Sequence, residues 1–242
     1  MVGSSLKKQA QREEKDSDLS DRLVTVLDPH NGASEDYRTL RTNLLYALVD
    51  TPPKVIVITS PGPTEGKSTT CANLAVVLAQ ADQSTLIVDC DLRKSAMHRI
   101  FGARNFTGVV DVLVGEHGLS ETWQELLPRL KMISAGPIPP NPAELLGSKR
   151  FAQLIGQARE QFDYVLIDAP PTGPVSDPII LSTQGDGVLL VFDSQNTRKG
   201  AFRQAMRSLE SVGANVLGTV MNNVKTSKGG YYNYAYYNYA YK

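Results

Sequence analysis

The stretch that decides the fold is residues 55–80, VIVITSPGPTEGKSTTCANLAVVLAQ. An apolar, β-branched run is followed by a loop rich in proline and glycine, and Gly66-Lys67-Ser68 then opens a helix-length segment. A strand that leads through such a loop into a helix directs backbone N–H groups and the helix N-terminus at one point, where they hold phosphate oxygens. In this context Lys67 reaches the outer phosphates and the Ser68 hydroxyl can bind Mg²⁺. We therefore predict a phosphate-binding loop (P-loop).

The loop departs from the full P-loop pattern at one place. That pattern has a glycine five residues before Gly66, where this chain has Pro61, and Gly62 stands one position later. A Gly-Lys-Ser triplet is common by chance, so the prediction depends on the strand before it and the helix after it. The predicted nucleotide contacts come from the loop and the start of the helix: Gly62, Thr64, Glu65, Gly66, Lys67, Ser68 and Thr69.

Three acids follow two further apolar runs. TLIVDCDLRK (residues 85–94) places Asp89 and Asp91 at the carboxyl end of a predicted strand, where alternation sends both side chains to the same face. FDYVLIDAPP (residues 162–171) places Asp168 at the end of another strand. Ligands of open α/β sheets bind at this edge, and an acid there commonly holds nucleotide-bound Mg²⁺. The alternative is that these acids only form turns; their position behind a P-loop favours a Mg²⁺–nucleotide site.

Six short apolar runs alternate with helix-length amphipathic segments between about Arg22 and Lys225. Several runs are apolar on both faces, as expected for strands between two layers of helices. The runs are KVIVITS, STLIVDCD, LKMISAG, FDYVLIDAP, DGVLLVFD and NVLGTVMNNV. Strands separated by helices indicate βαβ units. We predict an α/β protein with a doubly wound, mainly parallel sheet, a P-loop NTPase fold with helices on both faces.

Charge and composition limit the classes of partner. The chain has 242 residues and no formal net charge, but seven Lys/Arg stand against one acid from Ser194 onward. Such a segment can meet acidic protein, anionic lipid or nucleic acid, and charge alone does not choose among them. Cys71 and Cys90 lie in apolar runs, which indicates buried thiols in a reducing compartment. No apolar run reaches the roughly 18–20 residues of a membrane span.

The motifs together carry a family resemblance. SPGPTEGKST, LIVDCDLRK, GPIPPNPAELLGS and DYVLIDAPPTGPVSD resemble the bacterial tyrosine kinases (BY-kinases) of capsule and exopolysaccharide systems. The resemblance covers the chain from about Ala33 to Val224. These kinases are relatives of the deviant-Walker ATPases that position DNA, septa and metal clusters, and they are unrelated to eukaryotic protein kinases.

The resemblance implies a role for each residue of the site. Lys67 would bind and neutralise the phosphates of ATP, and Ser68 would be a ligand of Mg²⁺. Asp89 would accept the proton of the tyrosine hydroxyl, with Asp91 and Asp168 on the metal side, although the sequence alone does not separate the roles of Asp89 and Asp91. A free tyrosine hydroxyl has a pKa near 10, so a nearby carboxylate orients it and takes its proton during transfer.

Two further positions follow from the same resemblance. Asn222 in VMNNV resembles the adenine-contacting asparagine that follows a late strand in the family. Thr64 occupies a position where many relatives have glycine. If the backbone there needs a positive φ, the β-branched Thr64 is strained and nucleotide binding weakens.

Two segments outside the site also fit. In SEDYRTLRTNL, Glu35, Arg38 and Arg41 recur every three residues along one helix face, either as a solvated stripe or as the E-x-x-R-x-x-R motif by which BY-kinases assemble a ring. The family ends in a tyrosine cluster that a neighbouring subunit phosphorylates. The matching tyrosines here, which could otherwise form an aromatic strand, are Tyr231, Tyr232, Tyr234, Tyr236, Tyr237, Tyr239 and Tyr241.

Other functions of this superfamily are the alternatives. Partitioning or septum-positioning ATPases have a second lysine early in the P-loop, where this chain has Gly62. An iron–sulfur carrier would need cysteines in a ligand-like context, which Cys71 and Cys90 lack. A non-catalytic scaffold that binds nucleotide only for assembly stays open because of Thr64.

We predict an ATP- and Mg²⁺-dependent protein-tyrosine autokinase that modifies the tyrosine cluster of a neighbouring copy and regulates exopolysaccharide or capsule polymerisation or export. The expected partners are further copies in a homo-oligomeric ring, a transmembrane polysaccharide co-polymerase or activator, and a tyrosine phosphatase; no nucleic acid is expected. The expected location is cytoplasmic, at the inner face of the plasma membrane through the membrane partner. The predicted layout is a flexible arm (1–22), the kinase domain (23–226) and a flexible tyrosine-rich tail (227–242).

Overall fold

The computed structural model describes residues 19–46 and 52–225. Its strands are β1 (Val55–Thr59), β2 (Thr85–Asp89), β3 (Gln124–Leu127), β4 (Leu130–Ile133), β5 (Tyr164–Asp168), β6 (Gly187–Asp193) and β7 (Val216–Asn222). Its helices are α1 (Val24–Leu27), α2 (Gly32–Leu45), α3 (Lys67–Gln80), α4 (Met97–Ile100), α5 (Val109–Val114), α6 (Leu119–Thr122), α7 (Pro142–Leu146), α8 (Lys149–Gln161), α9 (Asp177–Ser182) and α10 (Lys199–Ser211). None of the helices in these ranges is long and apolar enough to span a bilayer.

The strands form one sheet in the order β3-β4-β2-β5-β1-β6-β7. Neighbouring strands are parallel except β3 and β4, so the predicted doubly wound, mainly parallel sheet is confirmed. The strands that carry the predicted P-loop and acids, β1, β2 and β5, lie side by side at its centre. Their carboxyl ends therefore meet at one edge, which we call the carboxyl edge, and their amino ends meet at the opposite amino edge.

Helices cover both faces of the sheet, as predicted. Because side chains alternate along a strand, Val55 and Val57 of β1 enter the core beneath α8 and α10, whereas Ile56 and Ile58 enter the core beneath α3. Each of the strands β1, β2 and β5 has five residues, and all of them are buried. This double burial explains why the central strands read as continuous apolar runs in the sequence.

The edge strand β3 is missing from the six strands predicted from the sequence. It is four residues long, and it pairs antiparallel with β4 across a tight turn in which Arg129 has φ +64°. Its sequence, QELL, consists of good helix formers, so local propensity does not indicate a strand. Pairing with β4 overrides that propensity, which no local pattern reveals.

Candidate active site

The segment between β1 and α3 forms the predicted P-loop. Gly66 precedes α3 with φ +94°, and a Cβ at this position would lie 2.0 Å from the Asn222 side-chain nitrogen, so only glycine fits. Thr64 adopts φ +61°, the left-handed region that is costly for a β-branched residue. The structure thus has the positive φ at Thr64 on which the expected strain depends. The first-turn N–H groups of α3, which have no partner within the helix, lie at the carboxyl edge.

Lys67 is the centre of the charged cluster at this edge. Its Nζ lies 3.0 Å from Asp91 Oδ2 and 3.3 Å from Asp168 Oδ1. It also lies 3.0 Å from the Ser68 oxygen, and the Ser68 hydroxyl donates a hydrogen bond of 2.6 Å to Asp168 Oδ2. The P-loop lysine and serine and both acid-bearing strands therefore meet at one point, as the sequence motifs predict.

Asp89 and Asp91 lie in different surroundings, a distinction that the sequence does not make. Asp89 ends β2, is paired in register with Asp168 of β5, and is fully buried. Its carboxylate accepts backbone N–H groups of Asp91 (3.2 Å) and Met97 (3.3 Å). Asp91 lies beyond the strand and points one oxygen at Lys67, while its other oxygen accepts the Lys94 N–H at 3.0 Å. Asp91 is thus in direct contact with Lys67, and Asp89 lies beneath the segment that follows β2.

Asp89 and Asp168 bind protons more tightly than ordinary carboxyls. Burial raises the pKa of Asp89 well above its usual range, and repulsion from Asp168 raises it further. Burial also raises the pKa of Asp168, although the contacts with Lys67 and Ser68 oppose the shift. Burial disfavours the charged form of Lys67, but attraction to Asp168 and Asp91 outweighs it and raises the pKa of the lysine. Within the described residues, three carboxylates therefore share one lysine, and the site is short of positive charge.

The residues present fit a nucleotide and a divalent cation. Carboxylate and hydroxyl oxygens are the ligands that Mg²⁺ prefers, and in nucleotide sites it is usually held by one or two carboxylates together with substrate phosphates. In the described part of the chain no cluster of three or more His, Cys, Asp or Glu side chains has the arrangement of a complete metal site. Ser68, Asp91 and Asp168 could supply the protein ligands, and the phosphates would complete them.

Hydrogen bonds of Glu65 and Asn222 connect the P-loop to the segment that follows β6 and to the end of β7. Asn222 at the end of β7 donates to the Glu65 carbonyl oxygen (3.2 Å), and Thr197 donates to Glu65 Oε1 (2.7 Å). Glu65 Oε2 is buried without a partner among the described residues, a costly state that a donor from a ligand would relieve. A cavity of about 320 Å³ lies beside these groups, lined by Gly62, Pro63, Thr64, Glu65, Asp193, Asn196, Thr197, Arg198 and Ala201. The adenine contact expected of Asn222 stays a prediction.

An ion pair that no sequence motif predicts joins two loops of the carboxyl edge. Arg93, two residues after Asp91, donates from Nε (2.8 Å) and Nη2 (3.2 Å) to the two carboxylate oxygens of Asp177. Asp177 is fully buried at the start of α9, nine residues after Asp168. The pair ties the loop after β2 to the loop after β5. Each residue is an ordinary charged residue in the sequence, and only the fold brings them together.

The predicted oligomerisation residues lie on α2 as expected, but they also have partners within the chain. Glu35 and Arg38 form an ion pair, and Arg38 also donates to the Pro29 carbonyl oxygen at 2.7 Å. Arg41 donates to the carbonyl oxygen of Val77, in the last turn of α3, at 2.8 Å. Arg41 thus satisfies a helix-end carbonyl of the P-loop helix. Their role in a ring stays a prediction.

The remaining predicted groups divide between buried and undescribed residues. Thr69 stands in the first turn of α3 and is partly exposed. Cys71 and Cys90 are fully buried, as expected, and burial raises the pKa of both thiols. The seven tyrosines from Tyr231 to Tyr241 lie outside the described residues, as do residues 1–18 of the predicted arm.

Comparison with known proteins assigns this site to a family. Residues 51–230 match a family model, ParA, whose description reads NUBPL iron-transfer P-loop NTPase. The chain is 40% identical to tyrosine-protein kinase YwqD of Bacillus subtilis (strain 168), over 93% of this chain and 95% of that protein. The chain belongs to the bacterial tyrosine-protein kinase family.

Further relatives support the same assignment. The putative tyrosine-protein kinase CapB of Staphylococcus aureus is 34% identical over 85% of this chain and 91% of that protein. The kinase domain of Escherichia coli tyrosine kinase ETK superposes with a TM-score of 0.82 at 33% identity, covering 86% of this chain and 82% of that one. The family resemblance, the fold class and the protein-tyrosine kinase activity predicted from the sequence are confirmed, and the partitioning-ATPase alternative is not favoured.

Proposed function

We propose that this BY-kinase uses ATP and Mg²⁺ to phosphorylate tyrosines among residues 231–241 of another copy of the chain. The observation that carries the proposal is the ion-pair cluster of Lys67 with Asp91 and Asp168 at the end of a P-loop. Three carboxylates around one lysine suit a site that receives a cation and phosphates together. The seven clustered tyrosines of the same chain are the acceptors that the family assignment favours.

The transfer step is a displacement at the γ-phosphorus. The phenol oxygen of the acceptor forms a bond to that phosphorus, the bond to the bridging oxygen of ADP breaks, and the phenol proton passes to a carboxylate. Lys67 and the first-turn N–H groups of α3 bind the phosphates and neutralise their charge. Mg²⁺, when bound, neutralises the charge that develops on the phosphate oxygens, and Ser68, Asp91 and Asp168 are the residues that would hold it.

Asp89 is the proposed proton acceptor. Its raised pKa makes it a stronger base than an ordinary aspartate once it is ionised. It is fully buried beneath residues 90–97, so contact with a tyrosine hydroxyl requires that this segment move. Asp91 competes for the role because it is the acid in contact with Lys67. If Asp89 is the base, Asp89→Asn should abolish transfer while nucleotide still binds, whereas Asp91→Asn should weaken Mg²⁺-dependent nucleotide binding.

The finer biological assignments extend the family membership. We propose that Glu35, Arg38 and Arg41 contribute to a homo-oligomeric ring, that a transmembrane co-polymerase activates the kinase, and that a tyrosine phosphatase reverses the modification. The kinase would then act at the inner face of the plasma membrane and regulate polysaccharide polymerisation or export. Residues 1–22 would form an arm, 23–226 the kinase domain and 227–242 the substrate segment. Within the predicted arm, the Ser20 N–H donates to the Ile100 carbonyl oxygen, so its last residues contact the domain.

Incubation with Mg²⁺ and ATP, followed by intact-mass measurement and peptide mapping, tests the proposed activity. We expect the wild-type chain to gain up to seven phosphoryl groups, all within residues 231–241. The Lys67→Met chain should gain none, and a chain with the seven tyrosines changed to Phe should hydrolyse ATP without being modified there. Hydrolysis by the wild type without any phosphotyrosine would instead indicate a switch ATPase, and neither activity would indicate a scaffold.

A further inference from the structure

Two large apolar side chains are exposed beside the acid cluster. Phe106 is 86% exposed and Ile138 is 76% exposed. They lie on two loops, residues 102–108 and 136–141, and the second loop follows the carboxyl end of β4. We call this pair of side chains the apolar lip.

The two loops are joined by hydrogen bonds. The Asn105 side chain accepts the Gly136 N–H (3.0 Å) and donates to the Gly136 carbonyl (3.3 Å). The loops also pack closely, since a Cβ on Gly108 would lie 2.0 Å from the Ser134 carbonyl oxygen. Ile138 stands between two prolines, of which Pro139 is buried, and the residue before a proline is restricted to extended conformations. The lip is therefore held rigidly, and binding to it costs little conformational entropy.

The loop that bears Ile138 neighbours the loop that follows β2 and bears Asp91. In the β2–β4 ladder Val88 pairs with Ile133, so Asp91 and Gly136 each lie three residues beyond a paired position. Adjacent strands are about 4.8 Å apart, which places the loop that bears Ile138 next to the loop that bears Asp91. The strand order puts the P-loop on the other side, because β4 flanks β2 away from β5 and β1. The loop that bears Ile138 thus flanks the acids on the side opposite the nucleotide.

The tyrosine cluster repeats with the two-residue period of an extended segment. Tyr232, Tyr234 and Tyr236 alternate with other residues, as do Tyr237, Tyr239 and Tyr241. In an extended segment, residues i and i+2 lie on one face about 6.8 Å apart. An acceptor tyrosine at the acids therefore presents a second ring to the neighbouring loops. The segment 226–242 has two lysines and no acid, which suits the acidic edge.

We propose that the apolar lip binds the ring of the tyrosine two residues from the acceptor, in the tyrosine cluster of a second copy. This inference rests on the proposed function and adds a substrate-binding subsite to it. The lip would make the repeat spacing the recognition signal, because a tyrosine with an aromatic residue at i−2 or i+2 would be the better acceptor. Tyr231, with Gly229 and Asn233 at those positions, would be the poorest acceptor of the seven. Stacking and burial of one ring against Phe106 and Ile138 supply the contact.

Steady-state kinetics with peptides of sequence 226–242 test the lip. In the parent peptide every tyrosine except Tyr236 is changed to Phe, which leaves one acceptor and keeps all the rings. A second peptide also carries Tyr234→Ala, which removes the sole ring two residues from the acceptor, since residue 238 is Asn. A third carries Tyr237→Ala in its place, which removes a ring from the opposite face. With the wild-type kinase, kcat/KM should fall about tenfold for the second peptide, the effect of losing one buried ring, and little for the third.

Kinase variants at the lip, combined with the peptide variants, form a double-mutant cycle. Phe106→Ser and Ile138→Ser kinases should use the parent peptide about as poorly as the wild type uses the Tyr234→Ala peptide, with no further loss for that peptide. Val212→Ser, which changes a partly exposed residue at the amino edge, should match the wild type. Equal kcat/KM for all three peptides, or fully additive losses, would overturn the lip. Absence of phosphotyrosine on the full-length wild-type chain would overturn the proposed function, and the lip with it.

Discussion

Aspartates at the amino edge of the sheet have pKa shifts opposite to those of the acid cluster at the carboxyl edge. At the amino edge, Asp186 accepts the N–H groups of Lys54 and Val55, both at 2.8 Å, and forms a bidentate ion pair with Arg159. Burial works against its charge, but these donors outweigh burial and lower the pKa of Asp186. Asp163 accepts the hydroxyl and the N–H of Ser84, which lower its pKa as well. Each of these carboxylates is satisfied by fixed donors of the chain.

In the acid cluster after β2 and β5 the pKa shifts run the other way, although Asp193 at the end of β6 has a pKa lowered by its own hydrogen-bond donors. Asp89 and Asp168 have raised pKa values, and among the described residues Lys67 is the cation in ion-pair contact with Asp91 and Asp168. The difference teaches where the chain depends on a ligand. The carboxylates Asp186 and Asp163 are paired with fixed donors and contribute to stability, whereas the acid cluster has fewer donors than charges, as the proposed Mg²⁺–nucleotide site would require. Substitutions at the two edges should separate the contribution to stability from the contribution to activity.

The largest effect is expected from removing the cation of each edge. Lys67→Met should lower the rate of phosphoryl transfer by about 10²- to 10³-fold, because it removes a positive charge from the phosphates in the transition state. Arg159→Met, the matched change at the amino edge, should lower the unfolding free energy and leave the rate within about twofold. Phosphotyrosine formation at saturating Mg²⁺ and ATP measures the rate, and urea unfolding measures the stability. Comparable losses of rate in the two variants would contradict the division of roles.

The next prediction concerns the acids, and here the two edges should differ in sign. Asp186→Asn should destabilise the fold by about 1–3 kcal/mol, since it weakens a charge-assisted hydrogen-bond network. Asp168→Asn should raise the stability at neutral pH, because it removes a carboxylate that repels Asp89 and Asp91, and it should abolish activity. Urea midpoints of the two variants at about pH 7 provide the test. A destabilised Asp168→Asn chain would show that the carboxyl edge is not strained by its own charge.

The pH dependence of the urea unfolding midpoints follows from the pKa shifts of Asp168 and Asp186. The folded chain keeps the proton of Asp168 at pH values where the unfolded chain has lost it, so Asp168 costs stability as pH rises through and above its ordinary pKa of 3.8. The advantage of Asp168→Asn should therefore appear above about pH 4 and grow until the pH passes the raised pKa of folded Asp168. Asp186 has a lowered pKa, so its contribution is present above 3.8 and is lost as pH falls through the folded pKa. The deficit of Asp186→Asn should accordingly shrink only in strong acid.

A smaller effect is expected from the two bidentate Arg–Asp pairs. Arg93 and Arg159 are similarly exposed, at 44% and 41%, but Asp177 is fully buried while Asp186 is 28% exposed and keeps two backbone donors. Arg159→Gln should therefore cost about 1 kcal/mol of stability, and Arg93→Gln should cost more. Only Arg93 joins the loops that carry Asp91 and Asp168, so only Arg93→Gln should raise the KM for Mg²⁺–ATP, by about 3- to 10-fold. Arg93→Lys should restore part of the loss. A normal KM for Arg93→Gln would confine the pair to a role in stability.

The smallest effect is expected from strain in the P-loop. Thr64 and Asp82 are both non-glycine residues with positive φ, at +61° and +66°. Changing either to Gly should relieve strain of about 1 kcal/mol, partly offset by the greater freedom of the unfolded chain. Only Thr64→Gly should also tighten nucleotide binding, by up to about fivefold, as calorimetric titration with Mg²⁺–ADP would measure. An unchanged affinity would show that nucleotide binding does not depend on the strained φ at Thr64.

Local patterns predicted most of the fold and the centre of the site. The doubly buried strands are continuous apolar runs, and Lys67, Asp91 and Asp168 follow directly from the motifs at their ends. Contacts between distant segments that no motif marks could not be predicted. The Arg93–Asp177 pair joins residues 84 apart, and the Thr197–Glu65 bond joins residues 132 apart. The different surroundings of Asp89 and Asp91 depend on how residues 90–97 cover the strand end, which alternation alone does not describe.

Transfer between two distinguishable copies of the chain tests the central claim most directly. The first copy keeps Lys67 but has all seven clustered tyrosines changed to Phe. The second copy carries Lys67→Met and keeps its natural tyrosines. After mixing with Mg²⁺ and ATP, we expect phosphotyrosine within residues 231–241 of the Lys67→Met copy, at a rate that rises with the concentration of the first copy. An unmodified Lys67→Met copy, under conditions in which the wild-type chain alone becomes phosphorylated, would contradict transfer to a neighbour.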